Sequence, residues 1–389
     1  MASQSCSLNR SGQNHPVYYP NFFELSLITS TVTNNSIITS TSNNENRTMS
    51  GPPVPFTSLP LSKDNAATRL NAWGAYGSTD ELGFLNRQTP STVAAAAASE
   101  IKTGVRIPLD APLDFQAGKP LFGRQVFQKD VYQKKPRVVH DDTWTFNTQS
   151  STQWDGLRHF GYQKAARFYN DTTVEDIAGT SERGQSNPNV LGIHGAVERG
   201  GVMGRGVLVD FRRWMDEGPG RDVVASDGGF KQFETSTIKF EWLLETLKWQ
   251  NGTTPRFGDI LIVRSGFFKS YFDMLKTPEG EKELDRLTNM SPPGLGGVEQ
   301  SDTVLQWIWE NFSAVASDHP SFERWPTPYD WSMHEVLLAG WGCNIGELLD
   351  LEKLSQECKR QNRWSFFVAS VPCYVPGGVA SPVNGVAIF

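Results

Sequence analysis

The feature that most constrains the fold of this chain is the exchange, over its second half, of short β-branched runs with amphipathic stretches of helix length. GVLVDF (206–211) and DILIVRSG (259–266) are apolar runs of strand length bounded by glycine, as buried strands are. Between them, STIKFEWLLETLKWQ puts Ile238, Trp242, Leu243 and Leu247 at helical spacing. DTVLQWIWENF (302–312) reads as a second helix leading into the strand-like AVAS, and MHEVLLAGW (333–341) reads as a third. This order predicts an α/β domain rather than separate all-α and all-β parts. Upstream, TPSTVAAAAASEIKTG adds a helix with Pro90 in its first turn, Ser91 or Thr92 as cap and Gly104 as stop, followed by the strand-like VRIPLDAPL. No repeat or interior linker breaks the pattern, so residues 53–389 are expected to form a single domain.

Residues 1–52 differ in kind. TSTVTNNSIITSTSNNENRT has little periodic apolar content to offset the entropy of ordering, which predicts a disordered N-terminal tail. Met49 stands just before SGPPVPF, where the composition becomes that of a folded chain, and is a candidate alternative start. No basic stretch followed by an apolar one opens the chain, so secretion is not expected. The four cysteines, Cys6, Cys343, Cys358 and Cys373, lack CxxC spacing and fit free thiols in a reducing, cytoplasmic setting. The longest apolar runs fall well short of the about 20 residues that span a bilayer. A net charge of −6 without clustered Lys or Arg argues against nucleic acid and anionic membranes as partners. The 12 Trp and 23 Phe supply aromatic surface for packing or for gripping an aromatic small molecule.

Only six histidines are present, so each is informative. His15 lies in the expected tail, His140 opens HDDTW and reads as part of a polar turn, and His319 reads as a hydrogen-bonding loop residue before proline. His194, among glycines in VLGIHGAVERGG, lines a pocket or is a satisfied structural histidine; the residues leave both open. The segment TQSSTQWDGLRH (148–159) stands apart, because Gln149, Ser151, Gln153 and Asp155 fall on alternate positions and share one face if the segment is extended. A polar strand face meets solvent, or, when buried, needs partners or a ligand. The glycine pairs at 294–297 and 377–378 lack the strand, helix and spacing of a dinucleotide fingerprint and read as turns, so no nucleotide cofactor is expected.

This segment resembles the motif H-x-G-T-H-x-D-x-x-x-H of the cyclase family that includes kynurenine formamidase and isatin hydrolase. Gln149, Ser151, Thr152, Gln153, Asp155 and His159 occupy the matching positions. NAWGAYGSTDELGFLN (71–86), GRGVLVDF (204–211), GDILIVRSG (258–266), AVASDHP (314–320), MHEVLLAGWGCNIGELLDL (333–351) and PGGVASPVNGVAI (376–388) extend the resemblance in the same order. It implies that residues 53–389 are a single catalytic domain of the kynurenine formamidase-like type, with a mixed β-sheet core and flanking helices.

In such enzymes the first two motif histidines and the aspartate bind one divalent metal. The aspartate, a later histidine and a glutamate bind a second, and the last motif histidine transfers protons. Carried over, the second set becomes Asp155, His334 and Glu347, and the proton-transfer residue becomes His159. The first set becomes Gln149, Gln153 and Asp155, with a single anionic ligand and no imidazole, so it is expected to be empty or weak. The resemblance therefore implies one metal, Zn or Mn. Taken without it, Glu347 reads as an acidic first-turn helix residue and His334 as a packed surface histidine. Gln149 and Gln153 are expected to orient substrate through their amides, Trp154 with Trp73 and Trp144 to sandwich an aromatic ring, and His194 to line the pocket.

The expected function is hydrolysis of an amide, lactam or ester of a cyclic or aromatic small molecule, or the reverse ring closure. Two rivals stand: metal-free acid/base cyclisation, dehydration or isomerisation in natural-product biosynthesis by Asp155 and His159, and a binding protein that has lost metal chemistry. A homodimer is a family-level expectation.

Overall fold

The computed structural model describes residues 51–116, 121–178, 190–290 and 292–389. The expected tail, with Cys6 and His15, lies outside them except for Gly51 and Pro52. Among the described residues, nine strands form one mixed sheet. They are β1 (Arg106–Pro108), β2 (Gln153–Asp155), β3 (Val202–Val209), β4 (Asp259–Val263), β5 (Phe312–Ser317), β6 (Ile345–Glu347), β7 (Ser365–Ser370), β8 (Ala380–Ser381) and β9 (Gly385–Ile388). Their order is β1-β9-β7-β3-β4-β5-β6-β2-β8. The central four, β3 to β6, are parallel, and the remaining pairs are antiparallel.

Val207–Val209 of β3 and Ile260–Val263 of β4 read as unbroken apolar runs because both faces are covered. Val207, Val209, Leu261, Val263 and Val315 share one core with Trp242, Leu243 and Leu247 of helix Phe240–Trp249, and with Val304, Leu305, Ile308 and Trp309 of helix Asp302–Asn311. Leu208, Ile260, Ile262, Ala314 and Ala316 face the other core, closed by Leu354 and Cys358 of helix Glu352–Gln361. The layers are thus helix, sheet and helix, the mixed α/β architecture expected from the sequence.

Several local expectations are corrected. The alanine-rich helix spans Pro90–Glu100 and is capped by Thr89, whose side chain accepts from Thr92 N at 3.2 Å. With Pro90 at the first helical position, the residue before it is the cap. The helix ends at Glu100, four residues before Gly104. Ile238 lies in a short strand, Thr237–Ile238, pairing with Gly297–Val298, so the glycine-rich stretch ends in a strand rather than only a turn. His140 begins a strand, His140–Thr145, of an exposed hairpin with Gln128–Gln133. Glu347 closes β6 rather than opening a helix; that helix begins at Glu352.

The segment 333–341 is helical, but its turn Glu335–Gly340 is π-helical, with His334 at its N-terminal boundary. After it, Gly342 (φ 64°) meets Gly83 (φ 54°) so closely that a Cβ on Gly342 would lie 2.6 Å from the Gly83 Cα. This contact sets the course of the chain between His334 and β6. Cys343 and Cys358 are buried free thiols and Cys373 is an exposed one. No helix of the described residues is long and apolar enough to cross a membrane.

Candidate functional site

Strand β2 is the shortest route from sequence to site. It pairs antiparallel with β6, placing Asp155 opposite Ile345 and Gln153 opposite Glu347, and Thr152 and Ser151 fasten the segment before it. The Thr152 hydroxyl donates to Leu348 O and accepts from Ala111 N at 2.8 Å. The Ser151 hydroxyl donates to Pro112 O at 3.1 Å. These two motif positions therefore hold the segment in place. Only Gln153–Asp155 is extended; 148–152 is turn and bend, so Gln149 reaches Asp155 from a turn rather than along a strand face.

Asp155, His334 and Glu347 converge from three elements, with one ligand atom from each within 4.8 Å of the others, and all three are buried. His334 Nε2 lies 3.1 Å from Glu347 Oε1 and 4.0 Å from Asp155 Oδ2. Glu323, wholly buried, faces the other side of the ring with Oε2 2.7 Å from Nδ1, and its Oε1 accepts the His334 backbone N–H at 3.1 Å. If Nδ1 carries the proton given to Glu323, Nε2 and Glu347 Oε1 are two acceptors facing each other. That arrangement requires either a second proton or a cation.

The charges respond accordingly. Burial disfavours a charged His334, but Glu323 and Glu347 outweigh it and hold the imidazole well above its ordinary range. Burial, reinforced by Asp155, pushes Glu347 up to about 7 against the pull of His334. Asp155 Oδ2 is buried without a hydrogen-bond partner among the described residues. An orphaned carboxylate oxygen beside an imidazole and a second carboxylate fits one divalent cation.

The two glutamines are already engaged. Gln149 Nε2 donates to Asp155 Oδ1 at 2.5 Å, and Gln153 Nε2 donates to Glu347 Oε2 at 2.8 Å and lies 3.3 Å from Gln149 Oε1. Their amide N–H groups thus neutralise carboxylate lone pairs from the side where the resembling family has imidazoles. Gln153 Oε1 is the buried acceptor left over.

His159 follows β2 after a turn closed by its own N–H to Gly156 O at 2.9 Å. Its ring centroid is 6.4 Å from that of His334, with Phe160 5.5 Å from His334. The His159 side chain has no hydrogen-bond partner among the described residues. Burial holds its imidazole below the ordinary range; Asp155 opposes this, while His334 and Arg124 add to it. Burial thus favours the neutral imidazole, the form whose free ring nitrogen can accept a proton.

Trp154 is not at the site. As the middle residue of β2 it points to the opposite face from Gln153 and Asp155, is buried in the core with Ala316 and Leu208, and donates through Nε1 to Ser370 Oγ at 2.8 Å. Trp73 donates to Ala339 O at 2.7 Å and packs edge-on against Tyr162, while Trp144 is exposed on the hairpin. His194 is buried and accepts Gly377 N–H at Nδ1, 3.3 Å, with no bond to Asp155, His334 or Glu347. His319 is structural, its Nδ1 2.6 Å from Ser321 O.

Two residues were not found by sequence reasoning. Glu323 was hidden in SFERWP, where a lone acid in an aromatic run was the only signal. Arg124, half-buried, donates to Gln149 O at 2.7 Å and lies near enough that its charge is felt at Asp155, Glu347 and His159.

Comparison with known proteins follows the same line. Residues 107–324 match the family model described as Cyclase. A crystal structure of a novel cyclase is 31% identical, with a TM-score of 0.66 over 82% of this chain and 100% of that one. Isatin hydrolase A from Ralstonia solanacearum is 14% identical at a TM-score of 0.45, over 77% of this chain and 95% of that one. Isatin hydrolase A from Labrenzia aggregata, bound to benzyl benzoate, is 13% identical at 0.46, over 76% and 97%. No curated protein matches the sequence. On the family match and the 31% identical structure, the chain belongs to the cyclase family.

Proposed function

We propose that this protein hydrolyses an amide, lactam or ester of a cyclic or aromatic small molecule, or runs the reverse ring closure, with Asp155, His334 and Glu347 holding one divalent metal. The observation that carries this reading is the buried convergence of those three side chains with Asp155 Oδ2 unpaired. An orphaned buried carboxylate oxygen is costly unless a ligand completes it. A Zn or Mn ion held there would polarise a scissile carbonyl and acidify water.

The protein's own groups then have separate tasks. Glu323 fixes the His334 tautomer through Nδ1, leaving Nε2 to face the cluster. Gln149 and Gln153 hold the outer carboxylate oxygens in place, and Gln153 Oε1, buried and without a partner among the described residues, is left to accept from a substrate N–H or O–H. Three of the four amide N–H groups are engaged within the cluster, which leaves the Gln153 oxygen and one Gln149 N–H to orient a substrate. Neutral His159 takes a proton from water as its oxygen bonds to the acyl carbon. It returns that proton to the leaving nitrogen or oxygen as the acyl bond breaks.

A metal-free acid/base reading is favoured by one observation: a second proton on His334, shared with Glu347 at 3.1 Å, also satisfies the pair. A panel of aryl formamides, lactams and aryl esters, assayed with as-purified and chelator-treated protein, tests the proposal. Hydrolysis that disappears with chelator and returns with Zn or Mn is expected. Hydrolysis indifferent to chelator selects the metal-free reading, and no turnover across the panel refutes the proposed function.

A further inference from the structure

Arg124 is a cation beside the cluster that makes no ion pair among the described residues, although Asp155 and Glu347 lie near enough to interact with its charge. Its guanidinium is half-buried, so it is only partly hydrated, and burial pushes its pKa down. One N–H is given to a neutral carbonyl, Gln149 O, at 2.7 Å. A guanidinium fork with its other donors unspent suits a planar bidentate anion.

The chain is bent to present it. Phe122 (φ 62°) and Gly123 (φ 64°), immediately before Arg124, are both in the left-handed region. For a bulky aromatic such as Phe122 that conformation costs of order 1 kcal/mol or more and is kept where the surroundings enforce it. The Phe122 ring lies under the guanidinium, 4.9 Å from it, and packs edge-on against Trp325 at 6.3 Å. Trp325 is two residues from Glu323, so one short segment supports both His334 and the floor beneath Arg124. Trp325 Nε1 is a buried donor without a partner among the described residues.

We infer that Arg124, with Phe122 and Trp325, forms the subsite for a carboxylate carried by an aromatic substrate, and so determines specificity for aromatic acids over their neutral analogues. The inference rests on the proposed reading of the metal cluster as the reaction centre, which it supplements with a substrate class. The carboxylate would be held by Arg124 while the scissile group reaches His159 and the cluster. Arg124 thus contributes to binding and places the substrate without taking part in proton transfer.

The test uses benzoate and its neutral analogue benzamide, titrated calorimetrically into the full chain as purified and after chelator treatment. Wild type is expected to prefer benzoate by about tenfold or more, the worth of a charge-assisted pair. That preference is expected to vanish in Arg124→Met and to survive in part in Arg124→Lys, which keeps the charge but not the fork. Arg124→Lys also serves should Arg124→Met fail to fold. Equal binding of the two probes, no saturable benzoate binding, or a preference unchanged in the variants overturns the inference. Zinc content of the same samples separates the two claims. A preference dependent on Arg124 without zinc removes the metal reading alone, and zinc without that preference removes the Arg124 subsite alone.

Discussion

Glu323 grips His334 twice, at the backbone N–H through Oε1 (3.1 Å) and at ring Nδ1 through Oε2 (2.7 Å). The double contact fixes both the start of the π-helical turn and the direction in which Nε2 points. A carboxylate placed behind a ligating imidazole sets its tautomer and raises its basicity.

Glu323→Gln should therefore weaken Zn binding by about 10- to 100-fold while leaving the fold intact. Competitive titration with a chromophoric chelator reads the affinity, and far-UV circular dichroism reads the fold. Unchanged affinity would reduce Glu323 to a packing residue.

Metal affinity should rise with pH. Burial, with Asp155 adding to it, pushes Glu347 up to about 7, and Glu323 and Glu347 hold His334 above its ordinary range against the effect of burial. Both must lose a proton to ligate, so metal competes with protons below these values. The association constant should increase about tenfold or more per pH unit as pH climbs from 5 toward 7. A flat profile over that window would mean that these groups do not bind the ion.

Restoring imidazoles should restore a first metal. In Gln149→His/Gln153→His, two neutral amides that now donate to Asp155 and Glu347 become ligands able to share Asp155 with a second ion. Elemental analysis should show a second equivalent of Zn in the double variant only. If the variant gains none, the site has closed around the glutamines.

Gly342→Ala should destabilise the protein by about 1–3 kcal/mol, because its Cβ would strike Gly83 from a backbone angle that favours glycine. Chemical denaturation measures this. A stability equal to wild type would show that the Gly83–Gly342 approach relaxes freely.

The parts of this picture that were readable in the sequence are those governed by short-range pattern. The β3 and β4 runs and the two amphipathic helices follow from local composition and spacing, whereas His159 and the catalytic reading of Asp155 came from the family resemblance. His334 and Glu347 are separated by thirteen residues and were reached only through family resemblance; they meet, with Nε2 3.1 Å from Oε1, because the chain turns back through Gly342 into β6. Trp154 could have been placed correctly from the same alternation that aligned Gln153 with Asp155, since the residue between them must face the other side of the sheet. Arg124 and Glu323 were out of reach because their roles arise from contacts across the fold: Arg124 with Gln149, and Glu323 with His334. The amides, too, had their donors assigned only by three-dimensional neighbours.

The central claim is that Asp155, His334 and Glu347 hold one divalent ion. Native mass spectrometry of the full chain after equilibration with Zn tests it most directly, alongside His334→Ala and Glu347→Gln. One equivalent bound by wild type and none by either variant is the result this account predicts. Zinc absent from wild type, or retained at one equivalent in both variants, would contradict it.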